Sequence, residues 1–597
     1  MILQSLVAYY EALARKGVVQ RPGWAFVRVS YKVILRPDGT IRDIVSVKKT
    51  EKRGKKEVLV PWEIEAPEQV VRSSGVRANF LCDTAAYLLG YPSGDNKAAQ
   101  KWEAARQLHL QILTGVDSPW AILLRQFFET HIPEDCGRLE LSKETAEDLE
   151  KGAVLTFVDE SDTYAVGDSA IGSAWDKQYA GDPDAVQGRC LVTGETDEIA
   201  ILHNKIKGVA GAQAVGANLV GFNAPAYESY GKTDAQGLNA PVGRYAMYAY
   251  TTALNHLLGA DEARRQRVRI GDTTVVWWTL DDDREAAEQF GTMTFGSFGS
   301  FGVAAEEDEA TIADVMRKLR NADAIGEGND RLTKPFCILG ISPNAARLSV
   351  RFFYRDTFGV FVRSVQAHYD RLAIDKPDYE KPYLPLGELL LETVSKNVRE
   401  REKSISSLLA GAVYAAIVND WRYPEMLYEQ VLCRIRAEHE VKARKAAILK
   451  AYLLKNTEID KEVLGMSLNE ECRNQAYVLG RLFAELENAQ YQANGVSMLK
   501  ERYLSSAATT PGLVFPSMLQ MASYHIAKIK KDDGKPGAGA AIEGRIGALI
   551  DMLEGGKPFP VRLNNTEQGL FLEGYYQQVQ KNFRTAKENK QNKEELA

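Results

Sequence analysis

Beyond about residue 386 the apolar residues fall at i, i+3 and i+4 with little interruption, through 389–418, 426–439, 441–454 and 468–491. That spacing puts them on one stripe of a helix, so this part of the chain predicts an all-α bundle. Upstream the spacing is different. Residues 25–36 alternate with period two, placing Val27, Val29, Tyr31, Val33 and Leu35 on one face and Arg28, Ser30, Lys32 and Arg36 on the other. This predicts one strand with an apolar and a basic face. Pro37, Asp38 and Gly39 then signal a turn into a second strand over 41–47. Residues 80–150 read mainly as helices, with Asp83 as an expected N-cap and a long helix over 98–115. From 153 to 360 short β-rich runs (153–158, 268–270, 273–278, 336–339) alternate with helices. Near Leu348 a further strand pattern sets Leu348, Val350 and Phe352 against Arg347, Ser349, Arg351, Phe353 and Arg355. The expected class is α+β: a mixed α/β N-terminal region with antiparallel strands, followed by an all-α C-terminal helical bundle. The polar tail over 587–597 is expected to fray.

Charge is distributed unevenly. The whole chain carries 74 Lys and Arg against 80 Asp and Glu, yet the first 77 residues hold fifteen basic and eight acidic side chains. The densest block, 48–56, reads as a solvated loop contributing Lys48, Lys49, Lys52, Arg53, Lys55 and Lys56. Six scattered cysteines without a Cys-x-x-Cys pair fit a reduced compartment and give neither a disulfide framework nor a zinc ribbon. The first thirteen residues read as an amphipathic helix and not a signal peptide, and no apolar run reaches 18 residues. The expectation is a cytoplasmic protein that does not span a membrane.

Enzyme motifs are sparse. Asp281, Asp282 and Asp283 follow an apolar strand and could hold Mg²⁺ for nuclease or nucleotide-hydrolysing chemistry. They read more readily as a helix N-cap and acidic first turn. Gly537 and Gly539 lack a preceding strand and a Gly-Lys-Ser/Thr ending, and His203 reads as a structural histidine. Nucleic-acid contact is better supported, because phosphate binding needs dispersed Lys and Arg while base contact adds Asn, Gln and aromatics. The most pointed segment joins Arg72, Ser73, Ser74, Gly75, Arg77 and Asn79: glycine permits close backbone approach, arginine a bidentate contact, and asparagine a groove contact.

These residues resemble a known family. Met1 to Val7, the segment Arg72-Ser73-Ser74-Gly75 continuing to Asn79-Phe80-Leu81-Cys82-Asp83, and Tyr87-Leu88-Leu89-Gly90 resemble the large subunit of the type I-C CRISPR surveillance complex (Cascade). Further matching motifs follow in order: Cys190 to Gly194, His203 with Ile206-Lys207-Gly208, Phe222 to Gly231 (with Tyr227 in place of the family's Phe), Asn239-Ala240-Pro241, and Leu339 to Arg347. They cover the chain to about residue 370; the helical remainder is similar in character only.

The resemblance implies a non-catalytic subunit with no cofactor or metal. It would recognise a protospacer-adjacent motif in double-stranded DNA, assist R-loop formation and recruit a helicase-nuclease. Expected partners are guide RNA, double-stranded target DNA, the handle-capping and backbone subunits, the helicase-nuclease, and a small subunit made from an internal start, for which Met466 is the candidate. On this reading residues 1–150 recognise the motif through Arg72, Ser73, Ser74, Gly75, Arg77 and Asn79. Arg28, Lys32, Lys48, Lys49, Lys52, Arg53, Lys55 and Lys56 would hold the DNA backbone. Residues 151–385 form a mixed core whose Asn223, Ser229, Tyr230, Asn239, Asn344, Arg347, Arg351 and Arg355 face RNA or partner. Residues 386–465 connect, and 466–597 form a small-subunit-like bundle, its first helix capped by Ser467 or Asn469 once the preceding chain is absent. Its exposed Arg473, Arg481, Lys528, Lys530 and Lys531 would meet displaced or target strand. A scaffold that holds RNA-binding partners without reading DNA is the alternative.

Overall fold

The computed structural model describes residues 1–53, 56–70, 75–92, 96–138, 141–179, 185–222, 224–228, 231, 236–259, 266–296, 312–313, 316–317, 330–532 and 537–595. The chain forms two compact units, one from Met1–Asn204 with Val220–His256 and the other from Lys205–Leu219 with Leu257–Ala597. The strands and the helices beyond residue 386 make it an α+β protein.

In the first unit, helix α1 (Ile2–Arg15) precedes strands β1 (Trp24–Val29), β2 (Tyr31–Leu35), β3 (Ile41–Ser46), β4 (Lys49–Arg53), β5 (Lys56–Val60), β6 (Trp62–Pro67) and β7 (Asp83–Thr84). Helices α2 (Ala85–Leu88), α3 (Asn96–Leu113), α4 (Pro119–Thr130) and α5 (Lys143–Glu150) lead to β8 (Val154–Asp159). Then come α6 (Ser169–Tyr179), β9 (Gln187–Arg189), β10 (Thr196–Glu198) and α7 (Arg244–Leu257). The order β3-β2-β8-β7 makes a four-stranded sheet in which β2 and β8 run parallel, while β1-β6 and β4-β5 are separate antiparallel ribbons. The continuous strand expected over 25–36 is therefore divided. Buried Ser30 donates its N–H to Val154 and accepts from Val47, so the chain leaves one ribbon and enters the other sheet at that residue. Periodicity alone does not register such a change of partner, because Val27 to Leu35 stay buried on alternate positions throughout. The basic block expected as a loop is the hairpin β4–β5, paired from Lys49 with Val60 to Arg53 with Lys56. Asp83 is not an N-cap; it lies in β7 and its carboxylate accepts from the backbone N–H groups of Asn79 and Thr84.

The second unit holds β11 (Arg267–Ile270), β12 (Thr273–Thr279), α8 (Arg284–Phe295), α9 (Asp330–Thr333), β13 (Pro335–Asn344) and β14 (Arg347–Thr357). The four strands form one antiparallel sheet in sequence order. A register shift between Gly340 and Ile341 opposes Val350 and Phe352 to successive residues, and Val350, expected on the apolar face, is exposed.

Helices α10 (Phe358–Leu372), α11 (Leu386–Leu391), α12 (Ser407–Val418), α13 (Glu425–Glu438), α14 (Ala443–Asn456), α15 (Gln475–Asn494), α16 (Leu499–Thr509), α17 (Pro511–Lys530), α18 (Ala538–Asp551) and α19 (Asn565–Glu595) follow. The stretch 389–418 is thus two helices. In the full chain the cap of α15 is Asn474, whose Oδ1 accepts from Ala476 and Tyr477. The tail is helical as far as Glu595. One apolar core runs from Ile270 to Tyr576, shared by helices on both sides of residue 466. Helices α15 and α19 cross where Gly480 and Gly574 let the backbones meet: a Cβ on Gly480 would lie 1.9 Å from the Phe571 carbonyl. Among the described residues no helix is long and apolar enough to cross a membrane.

Candidate nucleic-acid interface

The N-terminal unit supplies many cations, but several are already neutralised. Arg28 faces Glu63 across the β1–β6 ribbon and donates to it at 2.9 Å. Lys32 pairs with Asp162. Lys48 pairs with Asp148, which also accepts from the Tyr31 hydroxyl at 2.8 Å, and its ammonium lies 5.1 Å from the Tyr31 ring centroid. The hydrogen bond that Lys48 donates to Asp148 holds Lys48 above the usual lysine range, and the same bond holds Asp148 below the usual carboxylate range. A cation so paired must give up its partner before it meets a phosphate, so Lys32 and Lys48 first position the fold. The carboxylates that claim them lie 130 and 100 residues away, beyond the reach of any local sequence signal.

The β4–β5 hairpin is differently placed. Lys49 is exposed, its ammonium 4.9 Å from the centroid of the Trp62 ring, against which Tyr164 packs edge-on at 5.3 Å. Lys52, Arg53 and Lys56 lie on the hairpin strands, while Lys55 lies outside the described residues. A two-stranded ribbon fits the width of a DNA major groove, and lysine and arginine on such a ribbon can meet phosphates.

Arg72, Ser73 and Ser74 also lie outside the described residues, as does Val71; the structure describes Val70 and residues 75–79. Gly75 has φ +81° and open space where a Cβ would be, and both Gly75 and Arg77 are exposed. Asn79 is not available to a base. It is buried, its Oδ1 accepts from the Val70 N–H at 2.8 Å, and its own N–H donates to Asp83 at 2.8 Å. Its side chain therefore ties together the two ends of the 70–79 segment. The anchor continues inward: Leu81, strained at φ +61°, donates its N–H to His109 Nε2 at 2.9 Å, and Phe80 stacks on Trp175 with centroids 5.5 Å apart. Because His109 Nε2 accepts, the ring proton sits on Nδ1 and donates to the Ala105 carbonyl at 2.7 Å. Burial pushes this histidine down to about 4, so it is neutral at physiological pH.

In the second unit, Asn344 and half-buried Arg347 flank the β13–β14 turn, where Ala345 has φ +51°. Arg351 donates to Ser342 Oγ at 2.6 Å and pairs with Asp272 at 3.0 Å, whereas Arg355 is exposed. In the first unit the Asn239 amide donates to the Gln236 carbonyl at 3.0 Å; Asn223, Ser229 and Tyr230 lie outside the described residues. Of the C-terminal set, Arg473, Lys528, Lys530 and Lys531 are exposed, with Lys530 paired to Glu543. Arg481 is a correction: it is buried, donating to Gln578 at 3.1 Å and to the Glu470 carbonyl at 2.9 Å, so it serves the bundle interior and not a strand of nucleic acid.

The acidic cluster behaves as a helix start. Asp283 caps α8 by accepting from Ala286, and Lys334 binds both Asp281 and Asp283 at 2.7 and 2.8 Å while Arg331 adds a contact to Asp283 at 3.1 Å. Two cations inside the cluster oppose a third. His203 is buried and hydrogen-bonded to the Tyr250 hydroxyl at 2.6 Å, as a structural histidine would be.

The described surfaces of this α+β chain thus include a basic ribbon and an exposed Gly75–Arg77 stretch. Residues 6–583 match the family described as CRISPR-associated protein (Cas_Csd1), and the chain belongs to that family. No curated protein matches it.

Proposed function

We propose that this chain is the non-catalytic large subunit of a type I-C RNA-guided interference complex, which recognises a short motif in duplex DNA beside the target and helps to open it. The observation that carries the reading is the exposed Gly75–Arg77 stretch. A loop whose ends are tied by a buried asparagine presents its arginine at reduced entropic cost, and an arginine can meet guanine in bidentate fashion. The β4–β5 ribbon, in the same unit, supplies sequence-independent phosphate contacts. Such a division suits a system in which base pairing with a guide reads the target and protein reads only a short motif. Guide RNA, the handle-capping and backbone subunits, and a separate helicase-nuclease complete the proposed assembly, and a cytoplasmic location suits it.

The lysine and arginine held among Asp281 to Asp283 support a structural role for that cluster. The test is purification of the chain from its host with sequencing of any bound RNA, followed by incubation of the purified chain with DNA and Mg²⁺ or Mn²⁺. Bound guide RNA and intact DNA are expected. Cleavage that disappears with Asp282→Asn would overturn the non-catalytic reading.

A further inference from the structure

Besides Phe583 on α19, the C-terminal helices carry two exposed tyrosine rings. Tyr491 on α15 is 55% exposed and Tyr524 on α17 is 69% exposed. Their placement follows from three contacts. Lys530 of α17 meets Glu543 of α18, which makes those two helices an antiparallel pair. Arg545 of α18 reaches Glu485 of α15 at 2.9 Å, and Lys528 of α17 reaches Asn494 of α15 at 3.0 Å. Going back along α17 from Lys528 thus corresponds to going back along α15 from Asn494, so α15 and α17 run in the same direction. Tyr491 stands one turn before Asn494, and Tyr524 one turn before Lys528. The two rings sit at one level of neighbouring helices, beside an exposed lysine.

The charge around them is mostly positive, with Asp532 following Lys531 and Glu543 paired to Lys530. From 499 to 531 the chain has five Lys or Arg against a single Glu, in a protein whose total charge is −6, and α17 itself has no acidic residue. The nearest carboxylates on α15 are engaged: Glu485 by Arg545 and Gln578, Glu487 by the Tyr575 hydroxyl. Around Tyr524 the exposed face of α17 presents Gln520, Ser523, Ala527 and Lys528, with Lys531 just past its end; exposed Leu513 lies at its start, and exposed Val496 and Met498 follow α15.

We infer that Tyr491 and Tyr524 form a stacking platform for unpaired bases of a single nucleic-acid strand, with Lys528 and Lys531 meeting its phosphates. Every base has a π-face, so stacking tolerates any sequence, as binding to an arbitrary opened strand requires. The inference rests on the reading above in assigning that strand to opened target DNA; the platform itself rests on the helices.

The test is binding of a labelled twelve-nucleotide poly-thymidine strand to the full chain, followed by anisotropy across a salt series. Tyr491→Ala and Tyr524→Ala are each expected to weaken binding about five- to 100-fold. The Phe variants should stay within about twofold of the parent because they keep the ring. Lys528→Ala and Lys531→Ala should each lower the salt slope by about 0.7. Both tyrosines are exposed, so circular dichroism should show unchanged folding. Alanine variants that bind the strand like the parent would overturn the platform. So would equal losses in the Ala and Phe variants, and so would intact strand binding with loss of a co-purifying protein, which would make the face a protein interface. Tyrosine-dependent strand binding sustains the platform even if a motif-bearing duplex is bound no better than a motif-free one, a result that removes only the motif reading.

Discussion

Acid should loosen residues 79–82 through His109. The ring is fully buried, its Nε2 accepts a hydrogen bond from the N–H of strained Leu81, and protonation of Nε2 would break that bond and bury a charge. Its titration point is about 4 in the fold, against an ordinary value of 6.5 in the unfolded chain. For a histidine depressed in this way, the unfolded state binds the proton more readily. The stability it contributes is therefore complete above about pH 6.5 and is lost as the pH falls toward about 4. Over that whole window the loss is of order 3 kcal/mol, of which about 2 kcal/mol falls between pH 7 and pH 5. The first amides affected should be those of residues 79–82. Hydrogen exchange at pH 7 and pH 5, corrected for intrinsic rates, would read the change locally. His109→Gln, which keeps an acceptor but cannot titrate in this range, should flatten the pH response of residues 79–82. Equal protection of Leu81 and Cys82 at both pH values in the parent chain would refute the argument.

Gly480→Ala should destabilise the C-terminal helices despite alanine's better helix propensity. The added carbon falls about 1.5 Å inside ordinary contact with a backbone carbonyl that cannot rotate away, and overpacking of about 1–3 kcal/mol or more exceeds a propensity gain of about 1 kcal/mol. Gly544→Ala, with open space around it on α18, should stabilise by up to that gain; denaturant titration of both variants reads the opposite signs. Asn79→Ala should cost about 1–2 kcal/mol by leaving the Val70 N–H without its acceptor, and should weaken motif discrimination without changing the salt dependence of binding, measured by duplex titration. If Met466, which is 58% exposed, begins a separate product, mass spectrometry of the assembled complex should show a short C-terminal species that Met466→Leu abolishes; its persistence at unchanged mass would place the start elsewhere, with Met498 next. That product would have to re-cover the face of α19 that packs on α13 and α14 here, where Tyr428 donates to the Asn565 carbonyl.

Periodicity carried much of the fold. The spacing of Val27, Val29, Tyr31 and Val33 marked buried strand positions, and helical spacing marked most of the C-terminal helices. It failed where a partner, and not a pattern, decides the outcome. Ser30 looks like one more outward position of a strand, yet it is the residue at which the backbone changes sheets. The basic block over 48–56 has the composition of a loop, but pairing of Lys49 with Val60 makes it a ribbon. Site residues suffered the same limit. Asn79 and Arg481 read as polar groups available to nucleic acid, and both are buried because each satisfies backbone groups of its own fold. Nothing within a few residues of Lys48 announces Asp148 as its partner. Tyr491 and Tyr524 escaped notice because in a helical sequence an exposed tyrosine and a core tyrosine look alike until the neighbouring helices are placed.

The most direct test of the central claim compares Arg77→Ala with Lys49→Ala in the assembled complex, measuring Kd for motif-bearing and motif-free duplexes over a salt series. Loss of a base contact should remove about 1–3 kcal/mol of discrimination in Arg77→Ala and leave motif-free binding nearly unchanged. Loss of a phosphate contact in Lys49→Ala should weaken both duplexes alike and reduce the salt slope by about 0.9. Equal weakening of both duplexes by Arg77→Ala, with discrimination intact, would contradict the account.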